Sequence, residues 1–209
     1  SPKKTVEPTI QVVESDWSSA SYFYSIVALC DIGTEISLSA YNKNSLQGDR
    51  VLKEIYKDFG VETSFKGHEG LLKKIAAPNN ATFNLDLANA PDIAQTIAVT
   101  CLGLGVGCHM TGLHTLKIKE TDRLEALKTE LTKLGASISV TDKTLTLEPS
   151  KEIKKEIAID TYNDHRMAMA FAPLALKTTL FVNDAEVVSK SYPDFWEDMK
   201  KLKFKVQTV

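Results

Sequence analysis

The sequence predicts an α/β protein, of the α+β kind, in which three pseudo-symmetric βαβαββ units surround internal helices. The chain has 209 residues, of which 43% are hydrophobic and 25% charged, so it is long enough to bury a substantial core. Similar helical segments follow Asp49, Asp122 and Asp194, at intervals of 73 and 72 residues. The start of an apolar helix recurs every 73 residues, near Ser18, Pro91 and Asp164. Two markers with one period indicate three copies of one structural unit.

The first unit, about residues 10–80, is predicted to open with a strand over 10–14 and the helix that begins near Ser18. It closes with strands over 61–65 and 71–75, because Gly67 and Gly70 supply a turn between two apolar runs.

The second unit, about residues 81–154, shows the same order most clearly. Strands are predicted over 82–86 and 107–112, with a helix over 93–104 between them. A second helix follows from leucines at helical spacing, and Gly135 is its predicted stop signal. Strands over 137–141 and 144–148 then form a tight hairpin.

The third unit, about residues 155–209, stops after its fourth or fifth element and lacks the last strand that the first two units have. The expectation is that the missing strand comes from elsewhere in a longer protein, or that one sheet edge stays exposed. Either way, the chain is expected to be a fragment.

Charge and composition argue against several classes of protein. The net charge is −2 with no basic block, so neither nucleic acid nor an anionic membrane is an expected partner. The longest apolar run, residues 97–106, is too short and glycine-interrupted to cross a bilayer. No apolar signal segment opens the chain. Cys30, Cys101 and Cys108 show no C-x-x-C spacing, which favours a reducing, cytoplasmic location.

Two charged runs stand at predicted helix starts, Lys119 to Arg123 and Tyr162 to Met167. An arginine in the first turn opposes the helix dipole, so a negative group is expected nearby. Backbone N–H groups together with Lys and Arg make an anion site, which predicts that both runs hold phosphate or carboxylate. If the helices run parallel through the core, their polar starts converge on one face, which is the candidate site.

Six motifs occur in a fixed order along nearly the whole chain. They are Asp16 to Phe23, Gly48-Asp49, Ala90-Pro91-Asp92, Lys119 to Leu124, Tyr162 to Met169 and Ser189 to Phe195. In sequence, order and spacing they resemble the motifs of the EPSP synthase (3-phosphoshikimate 1-carboxyvinyltransferase) family.

The resemblance implies a fold and a reaction. Such enzymes have two globules of the inside-out α/β-barrel type, each with three βαβαββ units, and they transfer the enolpyruvyl group of phosphoenolpyruvate to shikimate 3-phosphate with release of phosphate. This chain resembles the C-terminal globule. Residues 1–14 are then the hinge and lead-in strand from an absent N-terminal globule, and residues 15–209 are the phosphoenolpyruvate-binding globule. The partners implied are the two substrates and the missing globule, with no metal and no cofactor.

The same resemblance implies roles for individual residues. Asp92 resembles the base that takes the proton of the shikimate 5-hydroxyl, and Glu120 the acid that protonates the methylene carbon of phosphoenolpyruvate. A carboxylate and a carboxylic acid in different environments suit this addition. Five further residues resemble the phosphoenolpyruvate contacts of the family: Lys119, Arg123, His165, Arg166 and Lys190. Lys119 is also implied to be catalytic. Thr115 departs from the family pattern, because many relatives have at this position an asparagine that contacts shikimate; a threonine hydroxyl can still donate one hydrogen bond there.

Plainer interpretations stand beside these roles. Lys119 to Arg123, taken alone, is typical of a solvated helix start, and Asp92 is equally suited to cap the 93–104 helix. Ser18, Ser19, Asp49 and Asp164 are interpreted as caps and turn formers. Cys108-His109 lacks further ligands at zinc spacing.

Three functions follow from the sequence. Enolpyruvyl transfer to shikimate 3-phosphate is favoured. The alternatives are enolpyruvyl transfer to a UDP-sugar and a non-catalytic anion-binding module. The chain alone is expected to be inactive, because one wall of a site between globules is missing.

Overall fold

The computed structural model describes residues 13–208. Most of the strand predicted over 10–14 therefore lies outside the described residues, and Val13 and Glu14 have no regular structure. The rest of the chain forms three sheets around a set of buried helices, as predicted.

The first unit contains α1 (Trp17–Leu29), β1 (Glu35–Ser39), α2 (Leu52–Asp58), β2 (Val61–Lys66) and β3 (Glu69–Lys74). A short 3₁₀ turn, Gly48–Val51, leads into α2. The sheet order is β1-β3-β2 and both pairings are antiparallel. The two predicted closing strands are confirmed, shifted by no more than two residues at any end.

The second unit contains β4 (Thr82–Asp86), α3 (Ala94–Leu104), β5 (Gly107–Thr111), α4 (Arg123–Lys133), β6 (Ile138–Val140) and β7 (Leu145–Leu147). The sheet order is β4-β5-β7-β6, with β4 parallel to β5 and the other pairs antiparallel. Gly135 ends the α4 segment with a φ of 95°, the left-handed conformation that glycine adopts without strain. Every predicted element of this unit is confirmed.

The third unit contains β8 (Ile157–Ile159), α5 (His165–Phe171), β9 (Leu180–Val182) and α6 (Phe195–Lys201). β8 and β9 pair in parallel, as β4 and β5 do. Within the described part of the chain, no antiparallel hairpin follows on β9, and residues 202–208 form no strand. A cleft of about 1220 Å³ lies along β9, and none of the residues predicted for the site lines it.

The helices lie inside, as the repeat predicted. Every residue of α1 except Ser19 is buried, and α1 packs on α3, which packs on α5. Helices that are apolar on all sides belong in a core rather than on a surface. Their buried hydroxyls are paired across the interface: Ser21 Oγ lies 2.9 Å from Thr96 Oγ1, and Thr100 Oγ1 donates to Ser25 Oγ at 2.8 Å.

The starts of the helices gather at one end of this core. Asp16, Asp122 and Asp164 cap α1, α4 and α5 by accepting backbone N–H groups. The loop before α2 reaches the same end, where a Cβ at Gly48 would clash with the carbonyl of Asn89. Glycine is therefore required for the two loops to approach so closely.

Candidate active site

Arg123, the first residue of α4, is the centre of the site. Its Nε donates to Asp164 Oδ2 at 2.6 Å, its Nη1 to Asp92 Oδ1 at 2.9 Å and its Nη2 to Glu120 Oε2 at 2.6 Å. The Arg123 side chain is only 1% exposed. One guanidinium therefore joins carboxylates that come from the 3₁₀ turn before α3, the loop before α4 and the start of α5.

This arrangement resolves the conflict that the sequence posed. An arginine at a helix N-terminus is destabilising unless negative charge surrounds it. The sequence predicted an anionic ligand as that charge, but Asp92, Glu120 and Asp164 of the protein itself supply it. A bound anion would have to reach the other cations of the site.

Asp92 meets three cations. Besides Arg123, its carboxylate lies 3.3 Å from Lys119 Nζ and 3.4 Å from Arg166 Nη2. Burial by itself would raise the pKa of Asp92, but Arg166, Lys119 and Arg123 outweigh it and the pKa is lowered. Asp92 is thus an ionised carboxylate at neutral pH.

The alternative role for Asp92 as a helix cap is wrong. The segment Pro91–Ile93 forms a 3₁₀ turn before α3, and neither that turn nor α3 has a side-chain cap. The carboxylate instead points its oxygens at the three cations.

Glu120 and His165 face each other beside Arg123, with His165 Nδ1 3.9 Å from Glu120 Oε1. Burial would raise the pKa of Glu120, yet its own backbone N–H, Arg123 and Arg166 lower it overall. Burial lowers the pKa of His165, and the nearby Asp164 and Glu120 only partly offset this. In the absence of ligand, the pair is therefore a carboxylate next to a neutral imidazole at pH 7.

The two remaining predicted cations border the same face. The Arg166 side chain is 16% exposed, whereas Lys190 is exposed and donates from Nζ to the carbonyl of Asn163 at 2.7 Å. Burial would lower the pKa of Arg166, but Tyr22, Asp92, Asp16 and Asp49 raise it. Lys119, Arg166 and Lys190 are the predicted site cations whose side chains are accessible to solvent.

Thr115 lies in a 3₁₀ turn, His114–Ile118, which packs against the turn that carries Asp92. Its Oγ1 is buried and makes no hydrogen bond to any residue in the range 13–208. The contact that the sequence analysis assigned to it stays a prediction.

The side chains of Glu120, Asp164 and His165 bring ligand atoms within 4.8 Å of one another, the closest approach to a metal-binding group among the described residues. The Arg123 guanidinium already binds both carboxylates. Its charge opposes a second cation there, so the arrangement fits an ion-pair network better than a metal site.

Sequence reasoning missed two carboxylates. Asp164 caps α5 as predicted, accepting from the Arg166 N–H at 2.8 Å, but it is also the buried partner of Arg123. Asp49 accepts a hydrogen bond from Ser18 Oγ. Burial raises the pKa of Asp49 overall, because it outweighs the opposite effects of Ser18 and Arg166. The repeated Asp-Arg pair at 49–50 and 122–123 was the available signal for Asp49.

The eight predicted site residues thus lie at one end of the core, and five of them, Asp92, Lys119, Glu120, Arg123 and Arg166, form a single network of ion pairs and hydrogen bonds, with His165 beside Glu120. Lys190 joins through the Asn163 carbonyl, and Thr115 through the packing of its turn. Their roles in catalysis or binding stay predictions.

Among residues 13–208, none of the helices has the length and apolar character that a membrane span requires.

Comparison with known proteins gives a consistent family. The sequence model of EPSP synthase (3-phosphoshikimate 1-carboxyvinyltransferase) matches residues 1–199. Relatives named 3-phosphoshikimate 1-carboxyvinyltransferase include those of Bacteroides fragilis, 42% identical over 202 residues, and Methanospirillum hungatei, 33% identical over 203 residues. These alignments cover 93% and 97% of this chain but 48% and 46% of the relatives. The chain spans about half the length of the curated relatives it matches.

Solved structures agree on the fold. EPSP synthase from Acinetobacter baumannii superposes with a TM-score of 0.74 at 23% identity, covering 90% of this chain and 46% of that one. The enolpyruvyl transferase NikO from Streptomyces tendae gives a TM-score of 0.67 at 14% identity, over 93% of this chain and 44% of that one. At these identities the likeness shows the fold alone.

Proposed function

Because the chain belongs to the EPSP synthase family, we propose that it forms the phosphoenolpyruvate-binding part of a 3-phosphoshikimate 1-carboxyvinyltransferase. The whole protein would transfer the enolpyruvyl group of phosphoenolpyruvate to the 5-hydroxyl of shikimate 3-phosphate and release phosphate. The proposal includes a cytoplasmic location, which rests on the three free cysteines.

The observation that carries the proposal is the set of cations on one carboxylate. Lys119, Arg123 and Arg166 all lie within 3.4 Å of Asp92, and Lys190 borders the same face. Phosphoenolpyruvate presents a phosphate and a carboxylate, and charge on both must be balanced as a tetrahedral adduct forms and collapses. Lys119, Arg166 and Lys190 are the groups proposed to bind it.

The lowered pKa of Asp92 suits a base, because the group is deprotonated at neutral pH before substrate arrives. In the proposed reaction Asp92 takes the proton of the 5-hydroxyl while that oxygen bonds to the central carbon of phosphoenolpyruvate. The adduct then returns a proton from its methyl group to the Glu120 carboxylate as the carbon–carbon double bond re-forms and the bond to the phosphate oxygen breaks, and the released phosphate takes up the proton held by Asp92.

Glu120 is proposed to deliver the proton to the methylene carbon. Its pKa is lowered overall, because the guanidinium groups of Arg123 and Arg166 favour the carboxylate. A bound dianion would neutralise those cations and raise the pKa of Glu120. Substrate binding itself would therefore prepare the acid.

The two-part organisation is also proposed. Residues 1–14 would be the hinge and lead-in segment, and residues 15–209 the globule that binds phosphoenolpyruvate. Half-length coverage of the relatives supports a second half as partner, as does the edge of β9 that pairs with no strand within residues 13–208. Shikimate 3-phosphate would be held mainly by that half, with Asp92 and Thr115 as its contacts on this chain.

A phosphate-release assay tests the proposal. The full-length protein is assayed with phosphoenolpyruvate and either shikimate 3-phosphate or UDP-N-acetylglucosamine. Release only with shikimate 3-phosphate, abolished in Glu120→Gln, is the expected result. Release only with the UDP-sugar, or binding of phosphoenolpyruvate without turnover on either acceptor, would contradict it. Residues 1–209 alone are expected to show no appreciable turnover.

A further inference from the structure

We propose that Glu130 is a positioning residue: buried on α4, it bonds both Tyr162 and the backbone of Asp160, and so holds the turn that leads into Asp164. The inference rests on the proposed function only where it links the turn to phosphoenolpyruvate binding. The contacts of Glu130 do not depend on that function. Glu130 belongs to neither charged run and touches no predicted site residue directly.

Glu130 is a carboxylate in an unusual place. It is 0% exposed, on the third turn of a helix whose other buried side chains are mainly apolar. Lys133 Nζ lies 2.8 Å from Glu130 Oε2 and 2.7 Å from Asp160 Oδ2. Because the Lys133 side chain is 34% exposed, its ion pair with Glu130 contributes little to stability. Its geometry points to another use.

The two oxygens of Glu130 hold both sides of one turn. Oε1 accepts from the Tyr162 hydroxyl at 2.6 Å, and Oε2 accepts from the Asp160 N–H at 3.2 Å. Asn183 adds a bond from Nδ2 to Asp160 Oδ1 at 2.7 Å. Strand β8 ends at Ile159, so these bonds fasten the chain immediately after it leaves the sheet.

The fastened turn is strained. Tyr162 and Asn163 both adopt left-handed conformations, with φ of 54° and 57°. Such conformations are costly for residues other than glycine, particularly for an aromatic one, and persist where surrounding contacts hold them. The Glu130–Tyr162 bond is a contact of that kind, and it holds a residue that is 37% exposed.

The turn places the site residues that follow it. Asp164 donates its N–H to the Thr161 carbonyl at 2.8 Å, and the Asn163 carbonyl accepts from Lys190 at 2.7 Å. Asp164 also caps α5 and accepts a hydrogen bond from Arg123. Relaxation of Tyr162 and Asn163 would therefore move the anchor of Lys190 and the start of α5 together.

Hydrogen exchange tests the inference in the 209-residue chain, with Tyr162→Phe as the mild variant and Glu130→Gln and Glu130→Ala as the stronger ones. Tyr162→Phe and Glu130→Ala should each speed exchange of the Asp164 and Arg166 amides by about tenfold or more, the equivalent of one hydrogen bond. Exchange of the α3 amides should stay unchanged. Glu130→Gln keeps an oxygen for Tyr162 and should give a smaller effect than Glu130→Ala.

Tyr24→Phe is the matched control, because it also removes a tyrosine hydroxyl bond, 2.8 Å to Thr63 Oγ1, on another part of the molecule. It should leave the Asp164 and Arg166 amides unchanged. Phosphoenolpyruvate affinity, measured by calorimetry, should fall in Tyr162→Phe and not in Tyr24→Phe.

Unchanged Asp164 and Arg166 amides in both Tyr162→Phe and Glu130→Ala would overturn the inference, as would equally faster exchange throughout α1 and α3. If the unaltered chain does not bind phosphoenolpyruvate, the proposed function fails for this chain. The exchange measurement then still decides the role of Glu130.

Discussion

Arg123 and Asp164 form an ion pair closed to solvent, with Nε 2.6 Å from Oδ2 and side chains 1% and 0% exposed. The two residues start neighbouring helices, α4 and α5, and so lock two N-termini together. Removing one member of a buried pair leaves an uncompensated charge, which costs far more than the intact pair contributes.

Substitution of Arg123 should therefore be severe. Arg123→Met is expected to lower the free energy of unfolding by about 3–5 kcal/mol, because Asp164 is left buried without its partner. The free energy of unfolding of Arg123→Lys should lie between that of Arg123→Met and that of the unaltered chain, since an ammonium replaces only some of the guanidinium hydrogen bonds. Urea unfolding at pH 7 measures both.

Lys128→Met is the control for Arg123→Met. Lys128 lies on the same helix and pairs with Glu125 at 3.3 Å, but both side chains are well exposed. Its loss should change the free energy of unfolding by less than about 1 kcal/mol. Equal losses for the two variants would contradict the role given to the buried pair.

Asp92→Asn should separate binding from catalysis. The substitution frees Lys119 and Arg166 from a competing carboxylate, so affinity for phosphoenolpyruvate should rise, by about threefold or more. Turnover of the full-length protein should fall by about 10²- to 10⁴-fold, because the proposed base is gone. Calorimetry and a phosphate-release assay measure the two effects.

Asp142→Asn serves as the matched control for Asp92→Asn, since Asp142 also pairs with a lysine, Lys117 at 2.6 Å, but on the exposed surface. Neither affinity nor turnover should change. Weaker phosphoenolpyruvate binding by Asp92→Asn would show that this carboxylate organises the cations rather than competing for them.

The stability contributed by His165 should depend on pH. Burial lowers the pKa of His165, so the unfolded chain takes up the proton first as pH falls. The contribution is complete above the ordinary histidine pKa of about 6.5 and is lost as pH falls from there to the lower pKa of the folded state. Urea unfolding between about pH 8 and 5 should show that the free energy of unfolding falls less steeply with decreasing pH in His165→Asn than in the unaltered chain. Identical slopes in the two proteins would refute the assignment.

Lys190 should act on binding alone. Its exposed side chain bonds only the Asn163 carbonyl among residues 13–208, so Lys190→Met should change the free energy of unfolding by less than about 0.5 kcal/mol. Phosphoenolpyruvate affinity should fall by about fivefold or more through loss of a charge-assisted contact. Lys200→Met, which removes an exposed lysine paired with Glu197, should leave affinity unchanged.

Local patterns predicted the elements well where one face of an element decides its burial. The strand over 82–86 has the bounds of β4, and the leucines at helical spacing in 124–134 lie on the buried side of α4. Such patterns depend on neighbours within a few residues. The short 3₁₀ segments before α2 and α3 leave no comparable pattern and were not predicted.

Pairings within the site could not be predicted in this way. Arg123 meets Asp92 across 31 positions and Asp164 across 41, and spacing alone does not distinguish either contact from a helix cap. Asp92 and Asp164 looked alike as caps in the sequence. Only Asp164 caps a helix, because α3 begins after the 3₁₀ turn that carries Asp92.

The sequence by itself determined the threefold repeat, the order of its elements and the end of the core at which charged side chains gather, because these follow from periodicity and composition along the chain. Only the tertiary structure decided which charges pair. Three carboxylates from separate elements surround the buried Arg123, whereas Lys119, Arg166 and Lys190 remain accessible to solvent. Such pairing depends on distances of a few ångströms between residues far apart in sequence, where burial strengthens each interaction.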